Sequence, residues 1–458
     1  MSAPSGDPRQ ANGDASSAEP NPSRPLYLRP HMLVLMALGY SGGVPLEMSF
    51  NLLPTWAAKA GWSVVEIGWL SLAKLPYSFK VLWAPITDHC GVPGLRWLGR
   101  RRSWLLATQL ACLSLLGVLA WNMDDRGGTL GVNAMLLLTG LLVFAGATQD
   151  IVGDAYRAEV LQPREFGAGA SMFVTGARIA SVVGGAAALI IASRMAESDA
   201  TRPWAWALAI GVLAFSTVIG MAGALLGREP QTTAGMAHGF AASVAQPFTL
   251  FAQAWGRRLP VLFLFTMLYR LPDNLGGAMT SPLLVQGLGY STESIGWVRQ
   301  GFGAGMSVLG ALVGGWLIAR WGILRCLWTF GVLQALSNAA FWLLALKHGA
   351  TVGVKAETSA PVSSLIPAIA VENGCGGMVA CAFVAYMMSA CDRRATATQY
   401  ALLTSFMAIG NALSGWASGW MVANLDYSPF YALTVAAALP GFLLLPWLRH
   451  TPGSEASR

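Results

Sequence analysis

Twelve apolar segments recur along the chain, at approximately 31–56, 64–85, 103–122, 131–155, 167–192, 204–227, 259–285, 294–319, 324–346, 361–390, 397–422 and 428–448. A helix needs about 20 mostly apolar residues to cross a bilayer, and in hydrocarbon only helices and closed barrels satisfy their own backbone. Apolar runs of this length predict an all-α membrane protein with twelve transmembrane helices. Composition closes off the main alternative. Charged residues make up 11% of the chain and hydrophobic ones 54%, where a soluble domain carries about 25% charge. Aqueous enzyme folds are thereby excluded. A membrane-embedded enzyme would need a His-Asp pair or a nucleophile constellation, and the sequence offers none.

The spans divide into two sets of six. GWSVVEIGW at 61–69 and GYSTESIGW at 289–297 share Gly, Ser, Ile, Gly and Trp at an offset of 228, each between the first and second spans of its half. Such internal repetition predicts two six-helix bundles with a binding site at their interface. The expected boundaries are a disordered tail over 1–25, bundles over 26–230 and 259–450, a linker over 231–258 and a short tail over 451–458. The first tail is rich in Ser, Pro, Ala and Gly and lacks the basic and apolar regions of a signal peptide. Within the linker, Val244, Phe248, Phe251 and Trp255 recur at helical spacing, which suits either an interfacial helix or one joining the bundles.

Orientation follows from the basic residues. With both termini in the cytoplasm, eighteen of the 29 Lys and Arg face that side, six face the other and five lie within spans. That asymmetry predicts both termini inside. It also accounts for the net charge of +7 without a nucleic-acid partner. No two of the six cysteines share a polar loop, and the five histidines are scattered, so neither a disulfide framework nor a metal site is expected.

Ionisable residues inside a bilayer are costly, and each is a functional candidate. Glu47 lies in the first span. Asp150, Asp154 and Arg157 close the fourth at spacings that stack them on one face. Arg178 lies in the fifth, Arg270 and Asp273 in the seventh, Arg299 in the eighth, and Glu372 beside Asn373 in the tenth. Acids concentrated on spans 1, 4, 7 and 10 suggest a polar cavity between the halves. A shielded carboxylate there can exchange a proton near neutral pH, and an arginine can hold a carboxylate or phosphate. The alternative is that these charges pair with one another and tie helices together.

Other patterns resolve into packing or topology. GYSGG at 39–43 fits G-x-S-x-G but lies within a span rather than a strand-to-helix elbow. The glycines of GFGAGMSVLG at 301–310 suit close helix contact rather than a nucleotide. GRRRSW at 99–104 is a basic cluster at a membrane edge, explained by topology and lipid phosphates.

Several long stretches together resemble the AmpG-type muropeptide permease family, a branch of the major facilitator superfamily. They are LPYSFKVLWAPITD (75–88), GRRRSWLLATQ (99–109), TQDIVGDAYRAEVLQPREFGAGA (148–170), LYRLPDNLGGAMTSPLL (268–284), GALVGGWLIARWG (310–322), LQALSNAAF (333–341) and VENGCGGMVACAFVAYMMSACDRRATATQYALL (371–403). The resemblance implies proton-driven import across the inner membrane of N-acetylglucosaminyl-1,6-anhydro-N-acetylmuramic acid, with or without its peptide, for cell-wall recycling. It implies no cofactor beyond the proton gradient and no protein partner. By matching motif it assigns importance to Asp150, Asp154, Arg157, Arg178, Arg270, Asp273, Glu372, Asn373 and Gln399. The chain departs from the pattern at Ala177, where an aromatic is common, and at Asn411, where an arginine often stands. It departs also at Glu47, where small or apolar residues are usual, and at Arg270, usually lysine. Related branches carry siderophores, the alternative substrate class. In this reading Glu372 or the Asp150/Asp154 pair carries the proton, and Arg178 and Arg270 hold the anionic group.

Overall fold

The computed structural model describes residues 25–60, 75–123, 130–196, 204–230, 240–290, 292–352, 360–392 and 395–448. Nearly all of the expected tails, and the first copy of the nine-residue repeat, fall outside these residues. What is described is helical, with no strand. Among the described residues, eight helices are long and apolar enough to cross a bilayer: Arg100–Asn122, Val132–Val160, Pro163–Ala192, Ala205–Leu226, Trp297–Trp321, Ile323–Lys347, Val362–Ala390 and Tyr427–Leu448. They match the third to sixth, eighth to tenth and twelfth expected spans. The first runs as Pro30–Glu47 through a π-helical stretch, Met48–Leu52, into Leu53–Lys59. The second is described from Leu75–Phe79 to Ala84–His89, and the eleventh is Thr396–Leu425. The six cysteines are free thiols.

The seventh span is discontinuous. Leu259–Leu268 ends at Tyr269, Arg270 leaves helical geometry (φ −96°, ψ 11°), and a new helix, Leu271–Pro282, begins with Pro272. A proline in the first turn has no N–H to offer the preceding turn, so the break falls just ahead of it. The π-helical stretches Met48–Leu52 and Leu283–Gly287 likewise begin soon after Pro45 and Pro282.

Glycines set the tightest crossings. A Cβ on Gly39 would strike the Phe173 carbonyl, and one on Gly176 would strike the Met36 carbonyl, so the first and fifth spans touch backbone to backbone. The eighth and tenth do the same, Gly310 against the Gly374 carbonyl and Gly377 against that of Ser307. Small residues let spanning helices approach this closely where no hydrophobic force drives them together. Thus Gly303 and Gly310 of the run at 301–310 serve packing, while a Cβ on Gly305 would meet open space.

The two halves meet firmly at the arginine-rich end. Gly167 and Gly315 pack against each other, the Cys381 thiol donates to the Gly167 carbonyl at 3.1 Å, and the Tyr27 hydroxyl donates to the Leu312 carbonyl at 2.7 Å. The linker contributes the helix Phe240–Trp255. Its Phe251 and Trp255 are buried, Phe251 against Phe263 and the Trp255 indole donating to the Ala390 carbonyl. That edge of the stripe is occupied by protein, and Phe248 is the exposed member. The Val244 side chain lies outside the described set.

Candidate functional site

Three polar groups occupy the seam between the halves. The first centres on the fourth span, whose 3.6-residue turn brings Asp150, Asp154 and Arg157 onto one face. Lys80 of the second span completes it. Its ammonium lies 2.6 Å from Asp150 Oδ2 and 3.9 Å from Asp154 Oδ2. Arg157 Nη2 donates to Asp154 Oδ1 at 2.7 Å and to the Tyr400 hydroxyl at 2.9 Å. The guanidinium also lies 4.2 Å above the Phe173 ring and faces the Met388 sulfur. Two cations and two anions balance. Lys80, Asp154 and Arg157 are almost wholly buried, where separating one partner would strand a charge. The pairing alternative therefore describes this group, and Arg157 bridges to the tenth and eleventh spans. Lys80 is a residue that the sequence reading passed over. The cost of an intramembrane charge flags it as surely as it flags the acids.

The second group closes the arginine-rich end. Arg101 is fully buried; its fork meets Asp88 Oδ1 at 2.7 Å, the Thr87 carbonyl at 3.0 Å and the Glu159 carboxylate. Asp88 reaches across the seam to the start of the eleventh span. It accepts from the Ala397 N–H at 3.1 Å, the Thr398 N–H at 2.8 Å and the Thr398 hydroxyl at 2.6 Å. The Thr396 hydroxyl donates to Glu159 at 3.0 Å. An acid at a helix N-terminus satisfies backbone donors that have no partner within the helix and meets the positive end of the helix dipole. Glu229 does this for the third span, accepting from the Arg101 and Arg102 N–H groups at 2.8 and 3.1 Å. GRRRSW is thus corrected: Arg100, which pairs with Glu159 at 3.4 Å, and Arg101 serve the protein interior. Arg102, too, is turned inward, its Nε donating to the Ala224 carbonyl at 2.9 Å. Gln399 also belongs at this end, buried, accepting from the Asp392 N–H at 2.7 Å and donating to the Pro247 carbonyl at 3.2 Å.

The third group is more open. Arg178 lies mid-span on Phe166–Ser181, yet it is exposed. Arg270 and Glu372 of the opposite half lie within electrostatic reach of it, as does Glu47. Its accessible face therefore looks into the seam rather than toward lipid. Arg178 makes no ion pair or hydrogen bond among the described residues. Glu372 accepts from Asn373 Nδ2 at 2.8 Å, and among the described residues it has no ion pair. Arg299 is within its electrostatic reach and donates to the Ser281 hydroxyl at 2.6 Å. Arg270 and Asp273 do pair, loosely, at 3.5 Å, and both Asp273 oxygens are buried without a hydrogen bond among the described residues. Glu47 accepts from Asn51 Nδ2 at 2.6 Å and from the Ser181 hydroxyl.

Of the eleven residues singled out from sequence, six gather here, Glu47, Arg178, Arg270, Asp273, Glu372 and Asn373, with Arg299 near Glu372. Asp150, Asp154 and Arg157 form the neighbouring paired group, and Gln399 lies apart. Asn411, where an arginine was expected by resemblance, accepts a bond from Asn274 of the seventh span. Among the described residues no group of three or more His, Cys, Asp or Glu side chains could hold a metal ion.

Comparison with known proteins agrees with the all-helical transporter fold. The profile of the Major Facilitator Superfamily matches residues 31–414. The anhydromuropeptide permease of Escherichia coli strain K12 is 34% identical over 430 residues, which cover 93% of this chain and 81% of that protein. A putative transporter of Rickettsia conorii, AmpG 4, is 28% identical over 421 residues, 90% of this chain and 95% of its own. Among solved structures, the transporter FucP in its outward conformation superposes with a TM-score of 0.64 at 14% identity. That match covers 93% of this chain and all of the other.

Proposed function

The chain belongs to the major facilitator superfamily and is a multi-pass membrane transporter, not an enzyme; from that premise we propose that it imports anhydromuropeptide-class solutes together with protons. The relative in Escherichia coli supports the substrate class. The observation that carries the reading is Arg178, an accessible cation in the middle of a span with no partner among the described residues. A bare charge at that depth is unfavourable, and an anionic solute entering the seam relieves it through the bidentate geometry of a guanidinium. Arg270, at the break in the seventh helix and only loosely paired with Asp273, supplies a second donor set from the other half.

Glu372 is the proton carrier in this reading. Asp150 and Asp154 are committed to Lys80 and Arg157, whereas Glu372 meets a neutral amide and stands near Arg178. Proton and anionic solute then occupy neighbouring positions, so each changes the other's binding, the coupling that symport needs. Transport proceeds by alternating access, the halves rocking about the central group. The Asp88 lock holds the arginine-rich end shut while Arg178 remains accessible. We assign that end to the cytoplasm and the membrane to the bacterial inner membrane, on the arginine excess. Aromatic side chains along the seam would stack on the sugar rings.

The test is uptake of radiolabelled N-acetylglucosaminyl-anhydro-N-acetylmuramic acid into proteoliposomes under an imposed pH gradient. Accumulation that collapses when the gradient is dissipated is expected. Absence of uptake, alongside uptake of a ferric siderophore, would replace the substrate class.

A further inference from the structure

Glu47 and Arg178 carry opposite charges within electrostatic reach, yet they do not join. Each is held for something else. Asn51, one turn further along the first span, and Ser181, on the facing span, fix the two oxygens of Glu47. Gly184 and Gly185 leave it room: a Cβ on the first would press on the Glu47 side chain at 3.1 Å, and one on the second would lie 3.4 Å from Oε2. Both fixing donors are neutral, and among the described residues no cation lies within ion-pairing distance of Glu47. A carboxylate accepts about four hydrogen bonds, so after these two it retains capacity. Its bond to Asn51 is exposed. Ser181 lies three residues beyond Arg178, so the same helix face presents first the guanidinium and then the anchor of Glu47.

We propose that Glu47 is a specificity-determining residue that receives an ammonium group of the solute while Arg178 holds a carboxylate beside it. The occupied site is then a clamp for a zwitterionic end, as the peptide portion of a muropeptide provides. This deepens the reading under Proposed function and rests on it. A solute with carboxylate alone uses half of the clamp.

Three labelled probes separate the roles in proteoliposomes of the full chain: the anhydro-disaccharide without peptide, the same with a peptide bearing a free amine, and that peptide form N-acetylated. We expect the free-amine form to have a KM about tenfold lower than its N-acetylated twin, the worth of one charge-assisted hydrogen bond. In E47Q that ratio should fall to about one, and E47D should restore most of it. A wild-type ratio of one, or a ratio unchanged in E47Q, overturns the proposal. So does E47Q protein that is dead toward all three probes while E47D is equally dead, since that outcome makes Glu47 structural. If the wild type carries none of the probes, the substrate class itself fails, and the inference falls with it.

Discussion

Replacing Asp88 by Asn tests the lock at the arginine-rich end. The change keeps the size of the side chain, removes its charge and turns one accepting oxygen into an amide that can only donate, so at least one N–H that faces it loses its acceptor. Of the four hydrogen bonds that the Asp88 carboxylate accepts, three come from Ala397 and Thr398 on the opposite half, at 3.1, 2.8 and 2.6 Å. Bonds to a charged acceptor contribute about 1.5–3 kcal/mol and neutral ones about 0.5–1.5. Discharging the acceptor should thus cost the closed seam roughly 1 kcal/mol per crossing bond, about 3 kcal/mol in all. Such a change shifts the balance between closed and parted forms on the order of a hundredfold. The fourth bond, from Arg101, weakens too, but Arg101 keeps Glu159 and stays within the first half. Spin labels at Arg164→Cys and Arg325→Cys, exposed positions on opposite halves at this end, report the separation by electron–electron dipolar spectroscopy, with the exposed Cys90 replaced by Ser. D88N should move most of the distance distribution to a longer component. A folded, monodisperse D88N protein with the wild-type distribution would refute the assignment of the lock.

Three further outcomes follow from the same geometry. Lys80→Met strands Asp150, while Asp154 keeps Arg157, and should lower stability by about 3 kcal/mol; thermal unfolding in detergent measures this, and adding D150N should recover part of it. Glu372→Gln should abolish accumulation driven by a pH gradient yet retain solute exchange across the membrane; pH-driven accumulation in that variant removes Glu372 as proton carrier. Gly310→Val drives a side chain into the Gly374 carbonyl and should cost more than about 2 kcal/mol of thermal stability; an unchanged unfolding midpoint contradicts the close crossing.

Length of apolar run is a local property, and it located the spans, including the interrupted seventh, from a single chain. The charges inside them were equally visible, because expense in lipid does not depend on a partner. What local reading missed is pairing. Lys80 and Asp150 are 70 positions apart, Arg101 and Glu159 58, and Asp88 and Thr398 310. No spacing rule reaches across spans. For that reason the basic run at 99–104 read as a surface feature, although its middle arginine is the most buried cation of the lock. The acids that answer it, Asp88 and Glu159, lie at span ends, where a charge costs little and attracts no notice. Gln399 was placed by resemblance alone, and its neighbours sit it at the closed end, away from Arg178. The six residues of the open group were legible because each is a polar group on a span and none needed its neighbour to be noticed.

The bond between Tyr27 and Leu312 has a mechanical corollary. The helical turn Leu26–Leu28, which leads into the first span, is moored to the other half before that span begins, so the proposed rocking cycle must cast it off and tie it again. Loss of the hydroxyl would leave the fold intact but shorten the time each molecule spends shut at that end, and turnover rather than affinity would register the difference.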